Sequence, residues 1–263
     1  MSSGDLRGWL RRGCEDLVLA FALLTRLPLP SISIRSEVKL SDYVWAFPIV
    51  GFIVGLIGAL VLFLARVNGV SPNLTALMAM AVTVLATGAL HEDGLADFCD
   101  GIGGGQTRER KLDIMRDSSI GSYGAVALFL GLAARWAALS ALTDPRAAAG
   151  ALVLSHTLGR GLLAIIITLW RPARTDGLAA GAADGNVYSA GASILLSVFA
   201  AIAFGGSTLG LAALALGALA VLTTGAVAAR YLGGYTGDVF GAAEQLAEVA
   251  VLTALCTLTL PIR

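Results

Sequence analysis

The stretch HEDGLADFCDG, residues 91–101, places Asp93, Asp97 and Asp100 at i, i+4 and i+7. On a helix of 3.6 residues per turn these positions fall within one narrow stripe, so three carboxylates share a face. Past GIGGGQTRE, the stretch RKLDIMRD at 110–117 sets Asp113 and Asp117 four residues apart, and a second helix there presents another carboxylate pair. Like charges at this spacing raise one another's pKa unless a cation compensates. Carboxylate oxygens are the hard ligands that Mg²⁺ prefers, and Mg²⁺ keeps part of its coordination shell for water and substrate phosphate. Asp93, Asp97, Asp100, Asp113 and Asp117 are therefore candidate ligands of Mg²⁺, and the chemistry they point to is that of a phosphate or diphosphate. Arg108, Arg110, Lys111 and Arg116 stand in the same segment as clamps for phosphate oxygens. A single acid in a polar loop is explained as well by solvation or weak surface pairing. Helical spacing repeated in acids alone is not. The glycine run between the two acidic stretches reads as a hinge.

These residues interrupt a very apolar chain. Hydrophobic residues make up 57% of the 263 and charged residues 14%, which excludes an ordinary soluble domain. The 18 basic and 18 acidic residues cancel, so nothing marks a nucleic-acid partner. Cys14, Cys99 and Cys256 are scattered and define neither a disulfide framework nor a zinc site. Runs long enough to cross a bilayer fall near 44–66, 74–90, 122–142, 149–170, 189–205, 208–229 and 239–260. The expected fold is thus all-α, a polytopic bundle of about seven spans forming one domain over 1–263, with a catalytic loop around 91–121. Residues 18–24 are too short to cross and end at Pro28 and Pro30, which predicts an interfacial or re-entrant helix. Arg7, Arg11 and Arg12 precede this segment as in a secretory signal, but no cleavage site follows, and the segment is expected to be retained.

Lys and Arg concentrate in the N-terminal stretch, in 91–121, in 171–188 and at Arg230, while the intervening turns hold a single base, Arg146. With seven spans all four basic regions share one face. The bias of bases toward the cytoplasm makes that face cytoplasmic, in an inner membrane. Frequent Gly and Ala, as in GLAALALGALAVLTTGAVAA, predict close helix packing through small residues.

Further polar residues stand inside apolar runs. Arg135, His156 and Arg160 are expected to face the bundle interior, since charge is costly in lipid. GGYTGD supplies Thr236 and Asp238 where the last span begins, and Glu244 and Glu248 follow one turn apart. Pairing of these acids with an Arg such as Arg160 or Arg230 explains them as well as substrate contact does. His91 lies opposite the aspartate stripe in helical phase, which favours packing over ligation. TRLPLP at 25–30 reads equally as a closing flap or an anchoring turn.

Five ordered motifs carry a resemblance that runs almost end to end: FALLTRLPLP at 21–30, FPIVGFIVG at 47–55, HEDGLADFCDG at 91–101, RKLDIMRDSSIGSYG at 110–124 and LGGYTGDVFGAAEQLAEV at 232–249. Together they resemble the cobalamin synthase family, the membrane-bound adenosylcobinamide-GDP ribazoletransferases. The resemblance implies a transferase that joins α-ribazole, or its 5′-phosphate, to adenosylcobinamide-GDP and releases GMP. It implies catalytic roles for Asp93, Asp97, Asp100 and Asp117, and substrate contacts from Arg110, Arg116, Ser118, Arg160, Thr236, Asp238 and His91. The chain departs from the family pattern at Glu92, where an apolar residue is usual, and at Asp113, where Glu is usual. The lipid bilayer is the expected surrounding, and a homo-oligomer is compatible with the sequence. The competing readings are a secondary transporter, a Mg²⁺-diphosphate prenyltransferase and a CDP-alcohol phosphotransferase. A transporter would place its acids near the bilayer midplane rather than where a span meets the cytoplasm.

Overall fold

The computed structural model describes residues 3–30, 38–175, 182 and 186–259. Arg35 and most of the stretch 176–185 lie outside the described residues. Twelve α-helices are found among them: α1 (Ser3–Leu24), α2 (Leu40–Tyr43), α3 (Phe47–Val67), α4 (Pro72–Thr87), α5 (Leu90–Gly104), α6 (Arg108–Ile114), α7 (Ser122–Ala141), α8 (Pro145–Gly161), α9 (Ala164–Leu169), α10 (Val187–Gly205), α11 (Leu211–Leu232) and α12 (Gly237–Thr259). A 3₁₀ turn, Val44–Ala46, joins α2 to α3, and a π-helical turn, Gly206–Gly210, joins α10 to α11. No strand occurs among the described residues.

Five helical stretches are long and apolar enough to cross a membrane: Leu40–Val67, Ser122–Ala141, Pro145–Leu169, Val187–Leu232 and Gly237–Thr257. The pair α4 and α5 passes the same test together but is bent by 86°. The stretch Val187–Leu232 holds 46 residues. A straight helix of that length would measure about 69 Å, over twice the ~30 Å hydrocarbon layer. Instead Gly206, at φ 73°, and Gly210, pressed against the Ala201 carbonyl, reverse the chain, so α10 and α11 are two passes. Each of the seven expected spans thus has its helix. Exposed Leu56, Leu60 and Leu64 on α3 and Phe129 and Leu130 on α7 present apolar rows to the hydrocarbon.

The N-terminal helix is longer than expected. It runs over Ser3–Leu24 rather than starting near residue 18, because the polar half that precedes the apolar run is helical too. Arg11 pairs with Glu15 across one turn, and the buried Asp16 accepts a hydrogen bond from Trp45 Nε1 at 3.1 Å.

At one end of the bundle, Arg66 Nη1 donates to Leu142 O at 3.1 Å and Thr143 O at 3.0 Å, fastening together two of the turns expected to share a face. At the other end, Tyr235 N donates to Arg171 O at 3.0 Å, and Arg108 reaches Leu232 O and Ala173 O, both at 2.7 Å. There Ser189 Oγ also donates to Asp42 O at 3.1 Å. The base-rich segments do gather at one end.

The central helix is α8, buried along most of its length. It packs backbone to backbone on α3 because Gly51 has no side chain to hold it off: a Cβ there would overlap the His156 carbonyl and stand 2.9 Å from Thr157 Cα. Backbone cannot step aside as a flexible side chain can. Gly51→Ala is expected to destabilise the protein by about 1–3 kcal/mol, read as a lower melting temperature in detergent.

Candidate functional site

Two consecutive residues aim the acidic helix. Gly88 ends α4 at φ 65°, and Ala89 follows at φ 57°, the one non-glycine among the described residues with positive φ. A left-handed alanine costs about 1–2 kcal/mol. This elbow turns α5 away from α4, and the TRLPLP segment braces it: Arg26 N donates to Ala86 O at 2.7 Å, and the Arg26 side chain lies against Gly88. The buried Thr25 bonds back to Phe21 O at 2.7 Å, so this segment is an anchoring turn.

α5 then crosses α12 where both helices carry glycine. A Cβ on Gly94 would stand 3.0 Å from Gly241 Cα and 3.1 Å from Asp238 O. This close crossing sets Asp238 beside the aspartate stripe. Thr236 Oγ1 donates to Asp238 Oδ2 at 3.1 Å and receives Val239 N–H at 3.4 Å, which starts α12. Along the stripe exposure falls: Asp93 is exposed, Asp97 half-buried and Asp100 buried. Burial, then the charges of Asp93, Asp238 and Asp100, push the Asp97 carboxyl up to about 7.

Asp100 has a task that its spacing does not disclose. Its Oδ2 accepts the Gly121 N–H at 2.7 Å and its Oδ1 the Gly124 N–H at 2.9 Å, so it caps the start of α7. The two glycines leave room for it, since a Cβ on either would overlap the carboxylate. Two lone-pair positions remain open to a cation.

The second acidic helix is shorter than expected. α6 stops at Ile114, so Asp113 is helical while Asp117 stands in the turn beyond, where its Oδ1 accepts Ser119 N–H at 3.0 Å. The Ser119 amide and hydroxyl, then the Arg110 charge, hold the Asp117 carboxyl below its usual value. Asp100, Asp113 and Asp117 nonetheless line one cleft of about 290 Å³ with Arg110 and Tyr123. Asp93, Asp238 and His91 line another of about 170 Å³. Asp97, coupled to Asp93 and Asp238 on one side and to Asp100 on the other, stands on the stretch of α5 between them.

The glycine run is no hinge over most of its length, because α5 continues through Gly104 and Gly101 packs beneath Met115. The buried Lys111 caps that helix end through Ile102 O and Gly105 O. Two of the four expected phosphate clamps are thus used within the fold: Lys111 here and Arg108 at the bundle end. Arg110, Arg116 and Ser118 remain exposed in this region.

Arg160 is not at the aspartates. It lies inside the bundle with Arg135, His91, His156, Glu92, Glu244, Gln245 and Glu248, all buried. Arg135 Nη2 meets Glu248 Oε2 at 2.8 Å, and Arg135 Nη1 meets Glu92 Oε1 at 3.0 Å. Arg160 Nη1 meets Glu248 Oε1 at 2.9 Å and also Glu244, while His156 contacts Glu248. Gln245 donates to Glu92 at 3.2 Å and Glu244 at 2.9 Å, a link that the sequence reading missed. Glu92, unusual in its motif, is thereby matched to Arg135. His156, Glu244 and Glu248 are the one trio among the described residues whose ligand atoms all lie within 4.8 Å of one another. Two guanidiniums already hold the cation positions there, so the trio is an ion-pair cluster. The aspartates fit a metal differently. Spread along α5, with one carboxyl raised toward neutrality by burial and then by its acidic neighbours, they suit a hard cation that shares its shell with water and phosphate.

Membrane-length apolar helices with acids and arginine facing clefts at one end of the bundle describe a polytopic membrane protein with a polar site. The chain belongs to the cobalamin-5-phosphate synthase family, which matches residues 16–256, and it is accordingly a transferase of cobalamin biosynthesis. It is 45% identical over 242 residues to an adenosylcobinamide-GDP ribazoletransferase of Mesorhizobium japonicum, covering 92% of this chain and 93% of that protein. Proteins of the same name from Bradyrhizobium diazoefficiens and Ralstonia nicotianae are 44% and 38% identical, covering 92% and 95% of this chain and 94% and 98% of theirs. No solved structure matches the chain. Family membership sets aside the transporter, prenyltransferase and CDP-alcohol readings.

Proposed function

We propose that this protein transfers the adenosylcobinamide phosphoryl group from adenosylcobinamide-GDP to α-ribazole or its 5′-phosphate, with Mg²⁺, at the cytoplasmic face of the inner membrane. The observation that carries this reading is the carboxylate row on α5 running from an apolar cavity to a polar, arginine-bearing cleft. Asp100, Asp113 and Asp117, which line the polar cleft, with Asp97 next along α5, are the residues that would hold the ion, and Asp100 also fixes α7 against α5. Mg²⁺ bound there supplies charge neutralisation to the diphosphate and to the departing GMP. Arg110 binds phosphate oxygens in the polar cleft. A ribose hydroxyl of the acceptor attacks the phosphorus that bears the cobinamide oxygen. The bond from that phosphorus to the bridging oxygen breaks, GMP leaves with the electron pair, and the hydroxyl proton passes to a carboxylate of the row. Bases at this end of the bundle support the cytoplasmic assignment.

The purified protein in detergent, given Mg²⁺, adenosylcobinamide-GDP and α-ribazole, is expected to release GMP and the cobamide in equal amounts, and EDTA is expected to stop both until Mg²⁺ is restored. Undiminished turnover in EDTA would remove the metal from the scheme. Absence of GMP under all conditions would remove the reaction.

A further inference from the structure

The cavity between α1, α2, α3, α5, α12 and the junction of α8 with α9 has a lining unlike that of the polar cleft. Its walls are Leu24, Phe47, Leu163 and Phe240, with Asp93 and Asp238 also on the lining, and its volume is about 170 Å³. A closed apolar cavity of roughly 150 Å³ is enough to bind benzene. The space therefore suits one small aromatic ring system and excludes a corrin macrocycle.

His91, 2% exposed, is the cavity's one lining imidazole. Its Nδ1 lies 3.4 Å from Arg160 Nη2. A guanidinium only donates, so Nδ1 accepts and the ring proton sits on Nε2. That Nε2 is buried and has no hydrogen-bond partner. A buried donor without an acceptor costs about 1–3 kcal/mol, and a bound acceptor recovers it.

We infer that this cavity receives the aromatic base of the acceptor nucleoside, with His91 Nε2–H donating to a ring nitrogen and Asp93 and Asp238 accepting from the sugar hydroxyls. This assignment rests on the function proposed above and names a subsite within it. A benzimidazole riboside offers what the lining asks for, an apolar bicycle with a single unsubstituted ring nitrogen. Guanine does not: its several polar edge groups would be stranded against leucine and phenylalanine. An acyl chain would leave the His91 donor unmet and lie beside two carboxylates. The placement also orders the reaction along α5, with the acceptor base next to Asp93, the row continuing through Asp97, and the diphosphate beside Asp113 and Asp117.

Gly237 gives a clean test. It lines the cavity at an exposed position, and a Cβ built on it meets nothing within 4 Å, so a larger side chain at this rim is accommodated without displacing the protein. The full-length protein in nanodiscs is dialysed to equilibrium against α-ribazole and, separately, against adenosylcobinamide-GDP. Gly237→Leu should weaken α-ribazole binding at least about ten-fold and leave the affinity for adenosylcobinamide-GDP unchanged. Gly150→Leu, also at a glycine with open space but outside the cavity, should alter neither. Wild-type protein should prefer α-ribazole to the analogue with CH in place of the free ring nitrogen, and His91→Ala should abolish that preference. Unchanged α-ribazole affinity in Gly237→Leu, or equal losses for both ligands, would overturn the assignment. The proposed reaction fails in a different way: wild-type protein would bind α-ribazole, sensitive to Gly237→Leu, yet release no GMP.

Discussion

Asp97→Asn is expected to lower kcat by about 10³-fold while leaving the melting temperature of the protein unchanged. The change removes one charge and no atom larger than an oxygen, and Asp97 makes no hydrogen bond that holds two helices together. What it removes is a share of the charge that holds a divalent ion over the diphosphate. Metal stabilisation of a transition state is worth several kcal/mol, and each ~1.4 kcal/mol is a factor of ten in rate. Asp100→Asn provides the contrast. Its two oxygens hold the Gly121 and Gly124 amides, so an NH₂ group in place of one oxygen faces a donor with a donor. Activity and melting temperature should then fall together. Steady-state kinetics and thermal melts on the two variants separate the roles, and a stability loss in Asp97→Asn as large as that in Asp100→Asn would contradict the division drawn along the row.

The largest loss of stability is expected at Glu248→Ala. Glu248 is fully buried and contacts Arg135, Arg160 and His156, which belong to α7 and α8. Removing one partner of a buried ion pair costs about 3–5 kcal/mol, because the partner charges stay buried without compensation. Here two guanidiniums lose a partner at once. Thermal or denaturant unfolding in detergent should show the loss, and Glu248→Gln, which retains hydrogen-bonding capacity, should lose less. The same cluster holds the start of α5 through Glu92 and His91, so the residual activity of Glu248→Ala should fall as well. Full stability in Glu248→Ala would show that the cluster is not the clamp described here.

Periodicity and composition made the spans legible. Apolar runs of bilayer length have one outcome in lipid, and the distribution of Lys and Arg grouped segments that do meet at one end of the bundle. The aspartate stripe was legible for the same reason, since side chains four apart on a helix must share a face. The further task of Asp100 was not, because its partners are main-chain amides 21 and 24 residues away, and any residue type offers an amide. Lys111 and Arg108 were misleading in the same way, as both spend their charge on carbonyl oxygens. Asp117 left its expected helix because α6 stops three residues before it, and in so short a helix little holds the last turn. Arg135, Arg160 and Glu248 announced themselves as charges in apolar runs that need partners, and the partners proved to be one another. Gln245, a neutral residue beside Glu244, carried no such signal.

Binding of Mn²⁺ to the full-length protein, followed by electron paramagnetic resonance in nanodiscs with the diphosphate substrate present, tests the metal at the carboxylate row without relying on turnover. Wild-type protein is expected to take up Mn²⁺ that Mg²⁺ displaces, and Asp97→Asn to bind it at least about ten-fold more weakly. Equal Mn²⁺ affinity in the two proteins, or no binding to wild type, would contradict the assignment of the α5 carboxylates to a divalent ion.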